Sequence, residues 1–421
     1  MNIGIFTDTY YPQINGVVTS IRMLEKELNK FGHTVYIITT TDPDATHAVP
    51  RVFRMPSMPF VFLPTHRLTI LYSPKLIVNL RKLHLDVVHT QTEFPVGIFG
   101  KLVAEFFRIP MVHTYHTMYE DYVHYIANGH LITPKMAQQY SRVFCNGADL
   151  VIAPVEKAKR CLEQYGVKRP TYVIPTGLDF EPFRKDNFTP IEINAVKKEL
   201  GIAPNEKVIL SIGRVSKEKS IDVLINAMPK LISKINAKLV IMGPGPYTEV
   251  LKEQANALGV RGSVIFAGGK PREIIPLYYQ IGDVFATAST SETQGLTYVE
   301  AMASEIPVIV KRDPSFENVV INGKTGLWFE RDSECADVLY YALTHEEETR
   351  QMAITGLSSI ENLSARRFAQ SVEQVYAESM IFKQPKRHLF ILPSLKKKNA
   401  QTDDVDTTII HKQQEPDIAN R

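Results

Sequence analysis

At 421 residues the chain is too long for one ordinary core and about right for two domains. With 44% apolar and 22% charged residues it has the balance of a soluble globular protein, and a formal net charge of +3 gives no electrostatic case for a nucleic-acid partner. Three cysteines far apart, Cys145, Cys161 and Cys335, without a C-x-x-C pair, argue against a disulfide framework or a zinc site.

The first residues enter a strand-like run directly, and no stretch approaches the ~20 apolar residues that span a bilayer, so the expected protein is cytoplasmic and any membrane contact peripheral. Residues 3–6 read as a strand and 17–31 as an amphipathic helix closed by Gly32. Further strand-like runs fall at 34–40, 86–90, 110–114, 150–153 and 171–175. The pattern restarts with a strand at 207–212 ending in Gly213, followed by runs at 238–242, 263–266, 283–287 and 307–310. Near-continuous apolar strands alternating with helical spacing predict parallel sheets covered on both faces, here two successive doubly wound α/β units. The expected organisation is a first domain over 1–178, a Pro-, Asn- and charge-rich connector over 179–204 and a second domain over 205–365. A helix over 366–392 is expected to return to the first domain, and 393–421 is basic, then polar, and expected to be disordered.

Ligands of open α/β sheets bind outside the carboxyl ends of the strands. In the second half, Gly213-Arg214-Val215-Ser216-Lys217-Glu218-Lys219 follows a strand and places Arg214 and Lys219 there. A guanidinium fork and an ammonium suit phosphate oxygens, though an ordinary charged loop reads the same way. The run 291–302 also follows a strand and opens a helix, whose N-terminus favours a diphosphate. Glu300 lies two turns on, where a carboxylate can accept from a ribose diol, while Glu292 can accept from sugar hydroxyls. Two solvated glutamates are the plainer alternative, but Glu300 is flanked by Val299, Ala301 and Met302. The pair does not suit a glycosidase, since eight helical residues rise about 12 Å and do not converge on one atom.

Glu292-x7-Glu300, with the 213–219 loop and Pro175-Thr176-Gly177-Leu178-Asp179, resembles the E-x7-E retaining glycosyltransferases, family four of the GT-B class, over almost all of residues 1–380. The resemblance implies two Rossmann-like domains facing across a cleft that binds a nucleotide sugar. Arg214 and Lys219 would hold the donor diphosphate and Glu300 the ribose. Glu292 would contact the sugar, the backbone of Gln294, Gly295 and Leu296 would line sugar and phosphate, and Gly243 would approach the nucleotide. In the first half, Gly16 would let the backbone approach the donor phosphate, although Asn15 stands where the family has another glycine. His116 matches a cleft histidine that contacts the sugar and organises the acceptor, while His113 is expected to be buried and Asp121 is an acceptor-side candidate.

Retention without an enzyme nucleophile suggests a same-face reaction in which the leaving phosphate takes the acceptor proton, the protein acting by positioning and electrostatics. With no Asp-x-Asp metal motif within 205–365, and with Arg214 and Lys219 at the diphosphate, neither a metal nor any other cofactor is expected. Residues 51–85 contain Arg51, Arg54, Arg67, Lys75, Arg81 and Lys82 without an acid, interleaved with apolar residues that include Phe60 and Phe62. That mixture suits an anionic membrane surface, although normal packing with solvated cations is the alternative. His66-Arg67-Leu68 and the 115–122 run resemble bacterial 1,2-diacylglycerol 3-glucosyltransferases. This implies transfer of glucose from UDP-glucose to 1,2-diacylglycerol at the inner face of the cell membrane. A transferase with a phosphoinositide, protein or soluble-sugar acceptor, a nucleotide-sugar epimerase and a non-catalytic binding protein stay open.

Overall fold

The computed structural model describes residues 1–13, 15–45, 48–60, 63–69, 74–118, 133–290, 295–316 and 319–382, and of residues 60, 63–66, 68, 74 and 75 the backbone. The 393–421 tail lies outside them.

The first half builds strands β1 (Asn2–Phe6), β2 (Thr34–Thr40), β3 (Val52–Met55), β4 (Ser57–Phe60), β5 (Leu63–Thr69), β6 (Val87–Thr90), β7 (Met111–Thr114), β8 (Leu150–Ala153) and β9 (Thr171–Val173). Between them run helices α1 (Gly16–Lys30), α2 (Pro74–Lys82), α3 (Pro95–Phe107), α4 (Pro134–Asn146) and α5 (Glu156–Tyr165). A seven-stranded parallel sheet has the order β3-β2-β1-β6-β7-β8-β9, and β4 and β5 pair apart as an antiparallel hairpin. The strands are buried because alternate residues face opposite cores. Phe6, Ile38, Val88 and Val151 join one hydrophobic cluster, and Ile5, Ile37, Val87 and Ile152 the other.

The 179–204 segment, expected as a connector, carries helix α6 (Pro190–Glu199). Thr189 caps it, accepting from Glu192 N at 3.3 Å, while the Glu192 carboxylate accepts from Thr189 N at 2.8 Å. Val196 and Ile202 then join the core of the second domain, so the segment packs as part of that domain.

The second half builds β10 (Lys207–Ile212), α7 (Ile221–Ile232), β11 (Ala237–Met242), α8 (Thr248–Ala257), β12 (Val264–Gly268), α9 (Ile275–Tyr279), β13 (Val284–Thr287), α10 (Leu296–Ala303), β14 (Val308–Lys311) and β15 (Leu327–Phe329). Helices α11 (Cys335–Thr344), α12 (Glu346–Ser359) and α13 (Ala365–Ile381) follow. The six-stranded sheet has the order β12-β11-β10-β13-β14-β15. Strand order reverses between β1 and β6 in one sheet and between β10 and β13 in the other, and these switch points open crevices at the carboxyl ends.

The chain crosses between domains twice, side by side. Leu178 N donates to Leu363 O at 2.8 Å and Ala365 N to Leu178 O at 3.0 Å. A Cβ at Gly177 would stand 2.6 Å from Ser364 O, so only glycine fits where the crossings touch. α13 then lies on the first domain, placing Phe368, Val372 and Tyr376 in the cluster that holds Ile5 and Ile152.

Candidate active site

The crevice of the second domain is made by loops with little side chain. Gly213 and Gly243 have φ of +149° and +143°, and a Cβ at Gly243 would lie 1.8 Å from Gly213 O. Gly243 N donates to Gly268 O at 2.9 Å and Val215 N to Pro244 O at 3.0 Å, binding the loops after β10, β11 and β12 backbone to backbone. Gly243 therefore serves loop packing beside a cavity of about 190 Å³ that Pro244, Phe266 and Gly269 help to line.

Arg214 is exposed on this rim, and its guanidinium has no ion pair or hydrogen bond with a described residue. Lys219 closes the short turn Lys217–Lys219 and is half-buried. Across the switch point, Gly295 at φ +70° caps α10 without a side-chain hydrogen bond, and the N-terminus of a helix is a place where amides can bind an anion. The loop that carries Arg214 and Lys219 and the start of α10 face one another across the switch point, where a Cβ at Gly213 would lie 4.0 Å from Thr297 Cγ2. Glu292, Gln294 and Asp121 lie outside the described residues.

Glu300 is 2% exposed, and its carboxylate already has partners. Arg272 Nη2 donates to Oε1 at 2.5 Å, and the Tyr279 hydroxyl lies 2.9 Å from Oε2. Burial, and then the Glu300 charge, push the Tyr279 phenol far above its ordinary value, so it stays a donor. Each carboxylate oxygen has a second acceptor direction, so the pairing holds the group in place and still leaves it able to accept from a diol. Arg272 and Tyr279 were missed in the sequence, where nothing but their position after β12 marks them.

In the first domain Asn15 caps α1, its Oδ1 accepting from Val18 N at 2.9 Å. The space in front of Gly16 is open, with nothing within 4 Å of where a Cβ would stand. His116 follows β7 and is half-buried, with Nε2 2.6 Å from Gln91 Oε1. Burial, with His113 adding, depresses its pKa to about 3, so it works as a neutral imidazole. His113 is fully buried between Thr90 and Glu93, with Nε2 3.2 Å from Glu93 Oε1. Asp8, at the switch point after β1, accepts from Thr92 Oγ1 at 2.6 Å and Val96 N at 3.0 Å, yet burial raises its pKa to about 6.

The basic 51–85 stretch is largely structural. Arg54 donates to Tyr11 O at 2.6 Å and Thr40 O at 3.0 Å, Arg67 to Ser57 O at 3.0 Å, and Arg51 to Asn29 Oδ1 at 3.3 Å. Arg81 and Lys82 are exposed at the end of α2, whereas Phe62 and the side chains of Phe60 and Lys75 lie outside the described residues.

The domains also touch across the cleft. Lys157 on α5 donates to Thr290 O at 2.8 Å and to both oxygens of Asp313 at 3.0 and 3.1 Å. Two Rossmann-like domains with these crevices have counterparts among known proteins. Alpha-monoglucosyldiacylglycerol synthase of Streptococcus pneumoniae is 39% identical over 383 residues, 90% of this chain and 86% of that protein. The Acholeplasma laidlawii protein of the same name is 35% identical over 389 residues, 90% of this chain and 97% of that one. Anabaena HepE, solved in complex with UDP and glucose, shares the fold with a TM-score of 0.74 at 19% identity, covering 90% of this chain and 100% of that one. The description "Glycosyltransferase Family 4" matches residues 14–182 and "Glycosyl transferases group 1" matches 192–357, one on each side of the crossing. With both halves matched and relatives alike over nine-tenths of its length, the chain belongs to the family 4 glycosyltransferases.

Proposed function

We propose that the chain transfers glucose from UDP-glucose to 1,2-diacylglycerol with retention, giving α-monoglucosyldiacylglycerol at a membrane surface. The observation that carries this reading is the pair of alpha-monoglucosyldiacylglycerol synthases at 39% and 35% identity. The second domain supplies a donor site that suits it. Glu300, held by Arg272 and Tyr279, accepts from the ribose diol, and the α10 amides, Arg214 and Lys219 take the diphosphate charge. In the reaction the anomeric C1–O bond to phosphate breaks as a C1–O bond to the diacylglycerol hydroxyl forms on the same face. The hydroxyl proton goes to the leaving phosphate, and the two cations stabilise the charge there in place of a metal.

Among the described residues no helix is long and apolar enough to cross a membrane. Peripheral attachment is supported by the neighbouring helices α3 and α4, which expose Phe94, Leu102, Phe106, Met136, Tyr140 and Val143. Lys101, Arg108, Lys135 and Arg142 lie on the same two helices or at their ends and have no ion pair with a described carboxylate. An apolar strip beside cations suits an anionic bilayer.

The test is transfer of labelled sugar to diacylglycerol in anionic mixed micelles with EDTA, comparing UDP-glucose, UDP-galactose and GDP-mannose. A glucolipid from UDP-glucose, lost in Arg214→Ala and Glu292→Ala, is expected. Donor hydrolysis without a lipid product overturns the acceptor, and strict dependence on added metal overturns the electrostatic account.

A further inference from the structure

His116 is the end of a buried chain of hydrogen bonds that starts on the returning helix α13. The Tyr376 hydroxyl lies 2.7 Å from His89 Nδ1, His89 Nε2 lies 3.0 Å from Gln91 Nε2, and Gln91 Oε1 lies 2.6 Å from His116 Nε2. Tyr376, His89 and Gln91 are 0%, 0% and 2% exposed, so water does not compete for these contacts. Thr114 Oγ1, 2.7 Å from His89 Nε2, completes the shell.

A primary amide is polar in a fixed sense: its oxygen only accepts and its nitrogen only donates. With the Gln91 nitrogen on His89, the lone pair of His89 is at Nε2 and its proton at Nδ1, donated to the Tyr376 oxygen. With the Gln91 oxygen on His116, the proton of His116 is at Nε2. The bond made by one ring nitrogen sets the state of the other, so His116 Nδ1 carries a lone pair. No described residue bonds to that nitrogen.

We propose that Gln91 is a positioning residue for sugar transfer, fixing His116 as the Nε2–H tautomer so that Nδ1 accepts a hydrogen bond from a substrate hydroxyl. This rests on the transferase reading above. The hydroxyl belongs to the donor sugar or to the acceptor, and the chemistry is shared: a neutral imidazole lone pair aligns an O–H without taking its proton. Among the described residues the ionisable groups that act on the ring are His89 and His113, with Glu93 on the far nitrogen of His113 and Tyr376 on the far nitrogen of His89. Burial disfavours charging the imidazoles of His89 and His116.

The experiment is long-range proton–nitrogen NMR of the full chain labelled at histidine, with His116 assigned by loss of its signals in His116→Asn. The wild type is expected to show Nε2–H at His116. Gln91→Leu is expected to mix the tautomers and lower kcat/KM roughly tenfold or more. Gln91→Glu keeps an acceptor on Nε2 but favours the imidazolium, so its activity is expected to rise with pH where wild-type activity is flat. If Gln91→Leu slows donor hydrolysis and transfer alike, the hydroxyl is the donor's, and if it slows transfer alone, the acceptor's. An Nδ1–H tautomer in the wild type overturns the proposal whatever the variants do. So does a soluble, folded Gln91→Leu with wild-type kcat/KM. The tautomer is read without substrate, so a wrong acceptor assignment in the wild-type assay leaves this result intact.

Discussion

Arg272 and Glu300 meet at 2.5 Å under the crevice of the second domain, the carboxylate 2% and the guanidinium side chain 36% exposed. The arginine stands over the Phe183 ring, 5.6 Å from its centroid, so packing as well as charge holds it. A buried carboxylate held in place this way is a fixed double acceptor, which a ribose diol needs.

Arg272→Ala should therefore raise KM for the nucleotide sugar more than it lowers kcat, because the ribose contact is the same in ground and transition states. It should also cost about 1–2 kcal/mol of stability, less than a fully buried pair because the guanidinium is partly in water. Arg272→Lys should recover stability better than KM, since an ammonium lacks the fork. Initial-rate kinetics and thermal melts separate the two.

Lys157 is a second device. Its ammonium has three oxygens, those of Asp313 and the Thr290 carbonyl, one for each N–H proton. Thr290 directly precedes the loop that carries Glu292. Lys157→Met should leave the core of each domain intact and loosen the donor loop, raising KM for the nucleotide sugar and increasing the radius of gyration in small-angle scattering. Unchanged scattering and kinetics would remove any role for the contact between domains.

Much of the frame was legible in the sequence because buried parallel strands are near-continuous apolar runs, and 34–40, 150–153 and 207–212 coincide with β2, β8 and β10. The short strands β3, β4 and β15 were not, since three or four residues carry little periodicity, and the seven-residue β5 lies in a run read for its cations. The signal for α6 was present in Thr189-Pro190-x-Glu192 but was outweighed by composition. The candidate ligand-binding residues were read from their place after a strand. The hydrogen-bond partners behind them were not: His89 and Tyr376 are 287 positions apart, and only the return of α13 joins them. For Arg54 and Arg67 both readings were open, because a run of cations looks the same whether it faces lipid or binds carbonyls, and both donate to carbonyls.

Asp8 gives the fold a pH dependence of definite sign. Its pKa is raised by burial from 3.8 to about 6, so the folded state prefers the protonated carboxyl. The associated stability is fully present below pH 3.8 and is lost as pH rises to about 6. The loss should be about 3 kcal/mol, at about 1.4 kcal/mol per pKa unit. Asp8→Asn, which can still accept from Val96 N, should flatten that interval in denaturant titrations taken at successive pH values.

The strip on α3 and α4 leads to a prediction independent of chemistry in the cleft. Phe106 is 69% and Val143 58% exposed, and neither lies in a hydrophobic core, so charging them should cost the fold little. Each would lose its partition into the acyl boundary, worth about 1–2 kcal/mol for a side chain of this size. Phe106→Asp with Val143→Asp should therefore weaken sedimentation with phosphatidylglycerol vesicles by at least about tenfold, at 1.4 kcal/mol per decade. Activity on a detergent-dispersed acceptor should persist, because the strip orients the enzyme on a surface and does not touch the sugar. Full vesicle binding by the double variant would move the membrane face elsewhere, with exposed Arg81 and Lys82 on α2 next in line.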